Sequence, residues 1–274
     1  MLKTLGICFL FLFLLAAMPS RACSVLYYLD SVTGKIYVAN HEDYWYHVEA
    51  YLKIMPRSKK EMARLWYGWK DFAQGGVNEA GLFFDGAVTP EQPRPRGSKK
   101  VKGNLGDQIL ARCKTVPEAL HFLEKQKIAL TNAHIMLGDA KGNAVVLEWV
   151  NGERQLVSIT GHYLAMTNFL LSDPKIKNHS CPRYSAIQKD IRAMESQRDS
   201  IHLLRVGNIL AKAAQPPRKN KQGKIGGTLY STFIDLTKME FVLIYKLQNE
   251  RVIQMDLKSE FKKNTKRKIL LESL

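Results

Sequence analysis

Cys23 is the residue of this sequence best placed to do chemistry, because of what stands before it. Met1, Leu2 and Lys3 lead into an apolar run from Leu5 to Ala17, and "MPSRA" follows. The run is too short to cross a bilayer as a helix, which takes about 20 residues. A charged start, a short apolar centre and small residues at the end form the pattern of a secretory signal peptide. Ser20 and Ala22 supply the small residues three and one positions before a cut after Ala22. That cut predicts a leader over residues 1–22 and a single catalytic domain over 23–274, secreted or periplasmic, with Cys23 at its head. A terminal cysteine has a thiol of ordinary pKa about 8.5 and an α-amine of about 7.7–8.0. The amine can take the thiol proton, directly or through one water, so one residue supplies nucleophile and base. The thiolate attacks a carbonyl, a thioester forms, and water releases the acid.

Other readings of the same cysteine stay open at this level. A bacterial lipoprotein also carries cysteine directly after its leader, which would make the chain an exported binding protein anchored at Cys23. The residues before it, Ser20 and Arg21, are not the leucine and small apolar residue that such processing favours. His41 invites a papain-like Cys–His pair, but "CSVL" lacks the local pattern of a papain-type cysteine. "NHSCPR" offers one histidine and one cysteine, too few ligands for zinc. No phosphate-cradling glycine loop or dinucleotide fingerprint is present. No metal or cofactor is expected.

The elements that must position Cys23 are legible in outline. Ser24–Leu29 and Lys35–Ala39 read as strands joined by a Gly34 turn, a hairpin with Cys23 at its start. Residues 58–72 have mixed helical character interrupted by Gly68. "GGVNEAGLFFDGAV" reads as a tight turn and then a buried strand. "PEQPRPRGSKKVKGN" is a long loop. Helical periodicity returns over 106–127, with a second helix capped by Thr115 and Pro117 in its first turn. A β meander follows in "AHIMLGD", "NAVVLEWV", "RQLVSIT" and "HYLAMTN". Residues 183–214 are helical with a polar break at "ESQRDS", and three strands close the chain: "LYSTFIDL", "MEFVLIYKL" and "RVIQMDL". This order predicts one α+β domain of antiparallel sheets with helices outside them.

"CSVLYYLDSVTGKIYVANHEDYWY" and "QGGVNEAGLFFDGA", with "AMTN", "RYSAI" and "STFIDL" after them, resemble the choloylglycine hydrolase and penicillin V acylase family of the amino-terminal-nucleophile superfamily. The resemblance implies a four-layer αββα sandwich of two antiparallel sheets flanked by helices. It also implies hydrolysis of a linear carbon–nitrogen amide, with a small-molecule acyl amide as substrate. Carried over by residue, Cys23 is nucleophile and its amine is base. Asp43 orients that amine, Asn168 binds the substrate amide or oxyanion, and Arg183 supports the charged centre. Asn40 and Asn78 are candidate substrate-binding residues, although "VNEAGL" also reads simply as a turn that Asn, Glu and Gly tolerate. Two departures stand out. Many family members have arginine where this chain has Asn40, and a neighbouring cation would lower a thiol pKa. The family's oxyanion residue after the Asn-Glu-x-Gly-Leu segment has no evident equivalent, with Asp85 and Thr89 as nearby polar candidates. An acyltransferase on the same scaffold, with an amine in place of water, is a further alternative.

The formal charge is +16. The leader takes Lys3 and Arg21 and no acidic residue, leaving +14 on the rest. The excess lies in "RPRGSKKVK", "RKNKQGK" and "KSEFKKNTKRK", read as loops and an end. It suits an anionic or lipid-facing ligand, and no nucleic-acid motif accompanies it. Aromatic residues such as Trp45, Tyr46, Trp66 and Trp69 could line an apolar pocket or fill a core. Of the remaining cysteines, Cys113 and Cys181 could pair in an oxidising compartment, a geometry the sequence cannot test.

Overall fold

The computed structural model describes residues 23–173, 181–196 and 201–274. The expected leader, residues 1–22, lies outside them, as do parts of "NHSCPR" and of the "ESQRDS" break. The chain starts with β1 (Ser24–Leu29) and β2 (Ile36–Trp45), joined through Gly34 at φ +69°. Four strands follow: β3 (Tyr51–Met55), β4 (Arg64–Trp69), β5 (Phe72–Asn78) and β6 (Phe83–Val88). Next are α1 (Leu105–Arg112) and α2 (Val116–Lys125). Thr115 caps α2 by accepting from the Glu118 amide, and Pro117 sits in its first turn. The meander is β7 (Ala133–Gly138), β8 (Ala144–Val150), β9 (Glu153–Ser158) and β10 (Tyr163–Met166). Helices α3 (Pro182–Ser196) and α4 (Leu203–Ala211) precede β11 (Arg218–Lys219), β12 (Ile225–Asp235), β13 (Glu240–Tyr245) and β14 (Val252–Asp256). The chain closes with α5 (Leu257–Lys262) and β15 (Arg267–Leu270).

The strands form two antiparallel sheets. One runs β10-β1-β2-β12-β13-β14, with β11 beside β12; the other runs β15-β3-β4-β5-β6-β7-β8-β9. Alternation along each strand sends its side chains to two different cores. In β1, Val25 and Tyr27 face the other sheet, while Leu26 and Tyr28 face α3 and α4. In β2, Ile36 and Val38 point inward, and Tyr37 and Ala39 point to the helices. On the second sheet, Trp66, Phe84, Ile135 and Leu137 pack under α1 and α2. The layers are therefore helix, sheet, sheet, helix, the αββα sandwich that the resemblance implies. Among the described residues, no helix is long and apolar enough to cross a membrane.

Two expectations need correction. Residues 58–72 are not helical: Arg64–Trp69 is strand β4. Its Leu65, Tyr67 and Trp69 enter the core between the sheets, while Trp66 enters the core under α1. A strand buried on both faces has no polar phase to reveal its period. The basic tail is not a loose end either. Glu260 of α5 accepts from Lys263 and is paired with Arg267, and β15 adds an edge strand to β3.

Candidate functional site

The β1–β2 hairpin sets the nucleophile. Ser24 pairs with His41, so the same register puts Cys23 opposite Glu42. Parity makes Cys23, Asn40 and Glu42 inward residues and sends Ser24, His41 and Asp43 toward the helix layer. Cys23 is 3% exposed and belongs to the core between the sheets. Its Sγ–H donates to Glu42 Oε1 at 3.3 Å. On the other side of β2, β12 carries a bulge: Thr228 pairs with Asp43 and Tyr230 with Glu42, leaving Leu229 as the extra residue. Bulges of this kind re-aim side chains beside active sites. Here the bulge places Thr228 Oγ1, 2.6 Å from Asp43 Oδ1, as a donor.

Arg183, at the start of α3, reaches the strand ends. Its Nη1 donates to the Cys23 carbonyl at 2.7 Å and to Ser24 Oγ at 3.0 Å, and its Nη2 donates to Asn168 Oδ1 at 3.0 Å. Asn168 Nδ2 donates in turn to the Val88 carbonyl at 2.8 Å, which leaves one N–H of that amide for a ligand. Cys23, Asn168 and Arg183 are thus in one hydrogen-bonded chain, and Asp43 lies close enough for its charge to act on both Cys23 and Arg183.

Asn40 and Asn78 have other occupations. Asn40 Nδ2 donates to Asp85 Oδ1 at 3.0 Å, and Tyr67 donates to Asp85 Oδ2 at 2.7 Å. Asn78 donates to the Leu110 and Cys113 carbonyls and accepts from the Ala80 and Leu82 amides. Its amide holds the end of α1 and its own turn, with no capacity left for a substrate. His41 is turned away from the thiol: its Nε2 meets the Leu210 carbonyl of α4 at 2.8 Å, and burial lowers its pKa to about 4. Thr89 Oγ1 is buried without a partner among the described residues. Cys113 and Cys181 are separate free thiols, Cys113 in the core under α1 and Cys181 beside Thr167 Oγ1.

The electrostatics are unusual for a nucleophilic thiol. Burial pushes the Cys23 thiol well up, and the charges of Glu42, Asp43 and Asp85 push the same way. Burial raises Glu42 and Asp85 well above the carboxylate range, and Asp43 to about 7, with Thr228 and Arg183 pulling Asp43 back. Glu42 Oε2, Asp43 Oδ2 and Asn40 Oδ1 are buried acceptors without a donor among the described residues. Such groups are costly unless something pairs with them. An ammonium at the head of β1 is the kind of donor they fit.

Cys23 and Glu42 stand at the polar end of a cavity of about 370 Å³. Its remaining wall is mainly apolar: Tyr44, Trp69, Phe84 and Leu130, with Leu105 and Ile109 from α1. Of the four aromatic residues singled out in the sequence, Trp69 lines this cavity. Trp66 is core, Tyr46 donates to the Thr228 carbonyl, and Trp45 lies against Gly226. Sequence reasoning missed Glu42 and Tyr230, which lie by the thiol, Tyr67, which donates to Asp85, and the His134–Glu148 pair. His134 and Glu148, both wholly buried, meet at 3.1 Å. His134 Nε2 lies 2.6 Å from the Thr167 carbonyl, and Glu148 accepts from the Leu171 and Ser172 amides. The pair clamps the turn that carries Asn168 onto the second sheet. Counting hairpin register back from Gly34 could have found Glu42; no local signal marks the clamp.

Comparison with known proteins agrees with this fold. Penicillin V acylase from Agrobacterium tumefaciens superposes with a TM-score of 0.65 at 19% identity, covering 86% of each chain. A variant of conjugated bile acid hydrolase from Clostridium perfringens gives 0.70 at 17% identity, over 90% of this chain and 96% of that one. The Caenorhabditis elegans N-acylethanolamine-hydrolyzing acid amidase ortholog gives 0.54 at 11%, over 78% and 93%. At these identities the likeness is one of fold. No curated protein matches the sequence. The family model described as acyl-coenzyme A:6-aminopenicillanic acid acyl-transferase matches residues 73–248, and by that match the chain belongs to this acyl-transferase family, within the wider choloylglycine hydrolase and penicillin acylase group.

Proposed function

We propose that the protein is an exported amidase that cleaves a linear carbon–nitrogen amide through a thioester on Cys23, after removal of residues 1–22. The observation that carries the reading is the placement of the Cys23 thiol at the polar end of an apolar cavity, with its own carbonyl gripped by Arg183 and, through Arg183, tied to Asn168. The apolar wall suits an acyl group, and the neighbouring acceptors suit an α-ammonium and a departing amine. Asp43 holds the amine, Arg183 fixes the strand end, and the free N–H of Asn168 is offered to the substrate carbonyl. Burial of Cys23 between two sheets favours this over a lipid anchor, which needs its sulfur at the surface.

The test is direct. Amino-terminal sequencing of exported material should begin at Cys23, and a chromogenic N-acyl amide should leave an acyl adduct on Cys23 detectable by mass. Cys23→Ser should export and fold but lose the adduct; undiminished turnover in that variant excludes the mechanism. A second reading, acyl transfer, is favoured by the description of the matching family. Adding an amine acceptor to a labelled acyl amide separates the two, since transfer yields a new labelled amide in place of the acid.

A further inference from the structure

The amine-based reading gives Glu42 no proton to carry, yet it is the side chain that touches the nucleophile. It sits opposite Cys23 in the hairpin register and receives the thiol hydrogen bond at 3.3 Å. It lines the same cavity as Cys23, it is 3% exposed, and its second oxygen has no donor among the described residues. Stability does not explain it. A buried carboxyl whose hydrogen-bond partner is a weak S–H donor costs folding free energy, and an apolar residue would continue the inward row of Ile36 and Val38.

We propose that Glu42 is a second proton carrier of the amidase reaction, one that takes the Cys23 thiol proton during attack and delivers it to the nitrogen of the departing amine. The proposal rests on Cys23 being the amide nucleophile. In the first half, the S–H bond breaks as the bond from Sγ to the carbonyl carbon forms, and the proton passes to Glu42 Oε1. The C–N bond then breaks and that proton goes to the leaving nitrogen, giving a free amine and a thioester. In the second half, water adds to the thioester carbon and gives its proton to Glu42. The C–S bond breaks and Sγ takes the proton back, releasing the carboxylic acid and restoring both groups. The α-ammonium of Cys23 then serves to hold and orient these acids.

This division of labour fits the rest of the site. Asn40 is neutral and gives its amide to Asp85, so β2 turns no cation toward the thiol, while burial and the neighbouring carboxyls push the thiol pKa up; such a thiol needs a base. The titratable groups around Glu42 are Cys23 on β1, Tyr67 on β4, Asp85 on β6 and Tyr230 on β12, with Asp43 next to it on β2 but turned to the other face. Burial and then Asp85 raise Glu42, which makes its carboxylate a better base than an exposed one.

Glu42→Gln keeps shape and hydrogen-bond acceptance but cannot carry a proton. It is assayed on two substrates with one acyl group, a nitroanilide and an alkylamide. The expected result is a fall in kcat of about 100-fold or more with KM nearly unchanged. The loss should be larger for the alkylamide, whose basic amine needs a proton to leave, and the pH–rate profile should lose one limb. Glu42→Asp, one methylene shorter, should lose less and keep that limb, and it serves if the Gln variant does not fold. Gln activity within about three-fold of the parent on both substrates, or equal losses with an unchanged pH profile, overturns the assignment. If the parent protein forms no Cys23 adduct at all, the amidase reading fails and this proposal fails with it; a parental adduct with an indifferent Gln variant removes Glu42 alone.

Discussion

Asp43→Asn should move stability and activity in opposite directions. Burial carries the Asp43 carboxyl from its ordinary 3.8 to about 7, against the hydrogen bond from Thr228 and the charge of Arg183. The native state therefore binds this proton more tightly than the unfolded chain does. Stability from this residue is greatest below about pH 4, declines as pH rises to about 7, and stays low above that. A displacement of this size corresponds to about 4 kcal/mol between the two ends of the window. Asparagine cannot ionise, so the variant escapes that decline. It still offers an oxygen to Thr228, but its new N–H group lacks an acceptor at about 1–3 kcal/mol. A net gain of about 1–3 kcal/mol at pH 8 is expected, turning into a net loss of about 1–3 kcal/mol at pH 4. Urea unfolding of parent and variant at the two pH values reads this directly. The difference should be full in a chain that keeps a residue before Cys23. It should shrink once the Cys23 ammonium is freed, because a neighbouring cation favours the ionised carboxyl. Amidase activity should fall in the same variant, since the amine loses its orienting charge. Identical pH dependence of parent and variant would refute the reasoning.

Three further outcomes follow from the geometry. His134→Ala strands Glu148 without its cross-strand partner and loosens the Thr167–Ser172 turn. It should cost about 3–5 kcal/mol in chemical denaturation and lower kcat in whatever protein still folds. Gly75→Ala brings a methyl within 2.2 Å of Asp85 Oδ2 and 2.5 Å of the Tyr67 ring. It should lower the melting temperature and displace the Asp85–Asn40 contact, and an unchanged crystal geometry around Asp85 would count against that network. Gly86 lines the cavity, and a Cβ there meets ordinary contacts at 3.7 Å or more. Gly86→Leu should fold normally yet raise KM for long acyl amides while sparing short ones, a split that a series of acyl chain lengths would reveal.

What the sequence revealed were features written in local chemistry. The Gly34 turn, the Thr115 cap with Pro117, and the meander turns each depend on a few neighbouring residues with special backbone or capping preferences. Cys23, Asn168 and Arg183 came from a family pattern and meet in space. β4 was hidden because Leu65, Tyr67 and Trp69 serve one core and Trp66 another, which removes the polar alternation that marks a strand. His134 and Glu148 were hidden because their partners, Thr167 and Ser172, are distant in sequence. Asn78 looked like a possible ligand contact because a turn and a binding loop use the same residue types; only its hydrogen bonds to α1 tell them apart.

The neutrality of Asn40 has consequences beyond one side chain. Asn40 is neutral and donates to Asp85, and Tyr67 does the same from the other sheet. Asp85 and Glu42 thus sit in the core with donors but no countercharge among the described residues. Two buried like charges disfavour each other's ionisation, so the Glu42 carboxylate beside Asp85 takes up a proton more readily than an exposed one would. A site of that kind cannot rely on standing positive charge alone to activate its thiol. It has to move a proton in concert with attack, and the acid that then holds the proton is already beside the bond that must break. Introducing a cation with Asn40→Arg should therefore not simply strengthen the nucleophile. It should lower the pKa of Cys23 and of Glu42 together, raising the rate of thiol alkylation while weakening Glu42 as the acid for a basic leaving amine. Alkylation by iodoacetamide and turnover of an alkylamide should accordingly diverge in that variant, and a parallel rise in both would show that proton delivery is not limiting here.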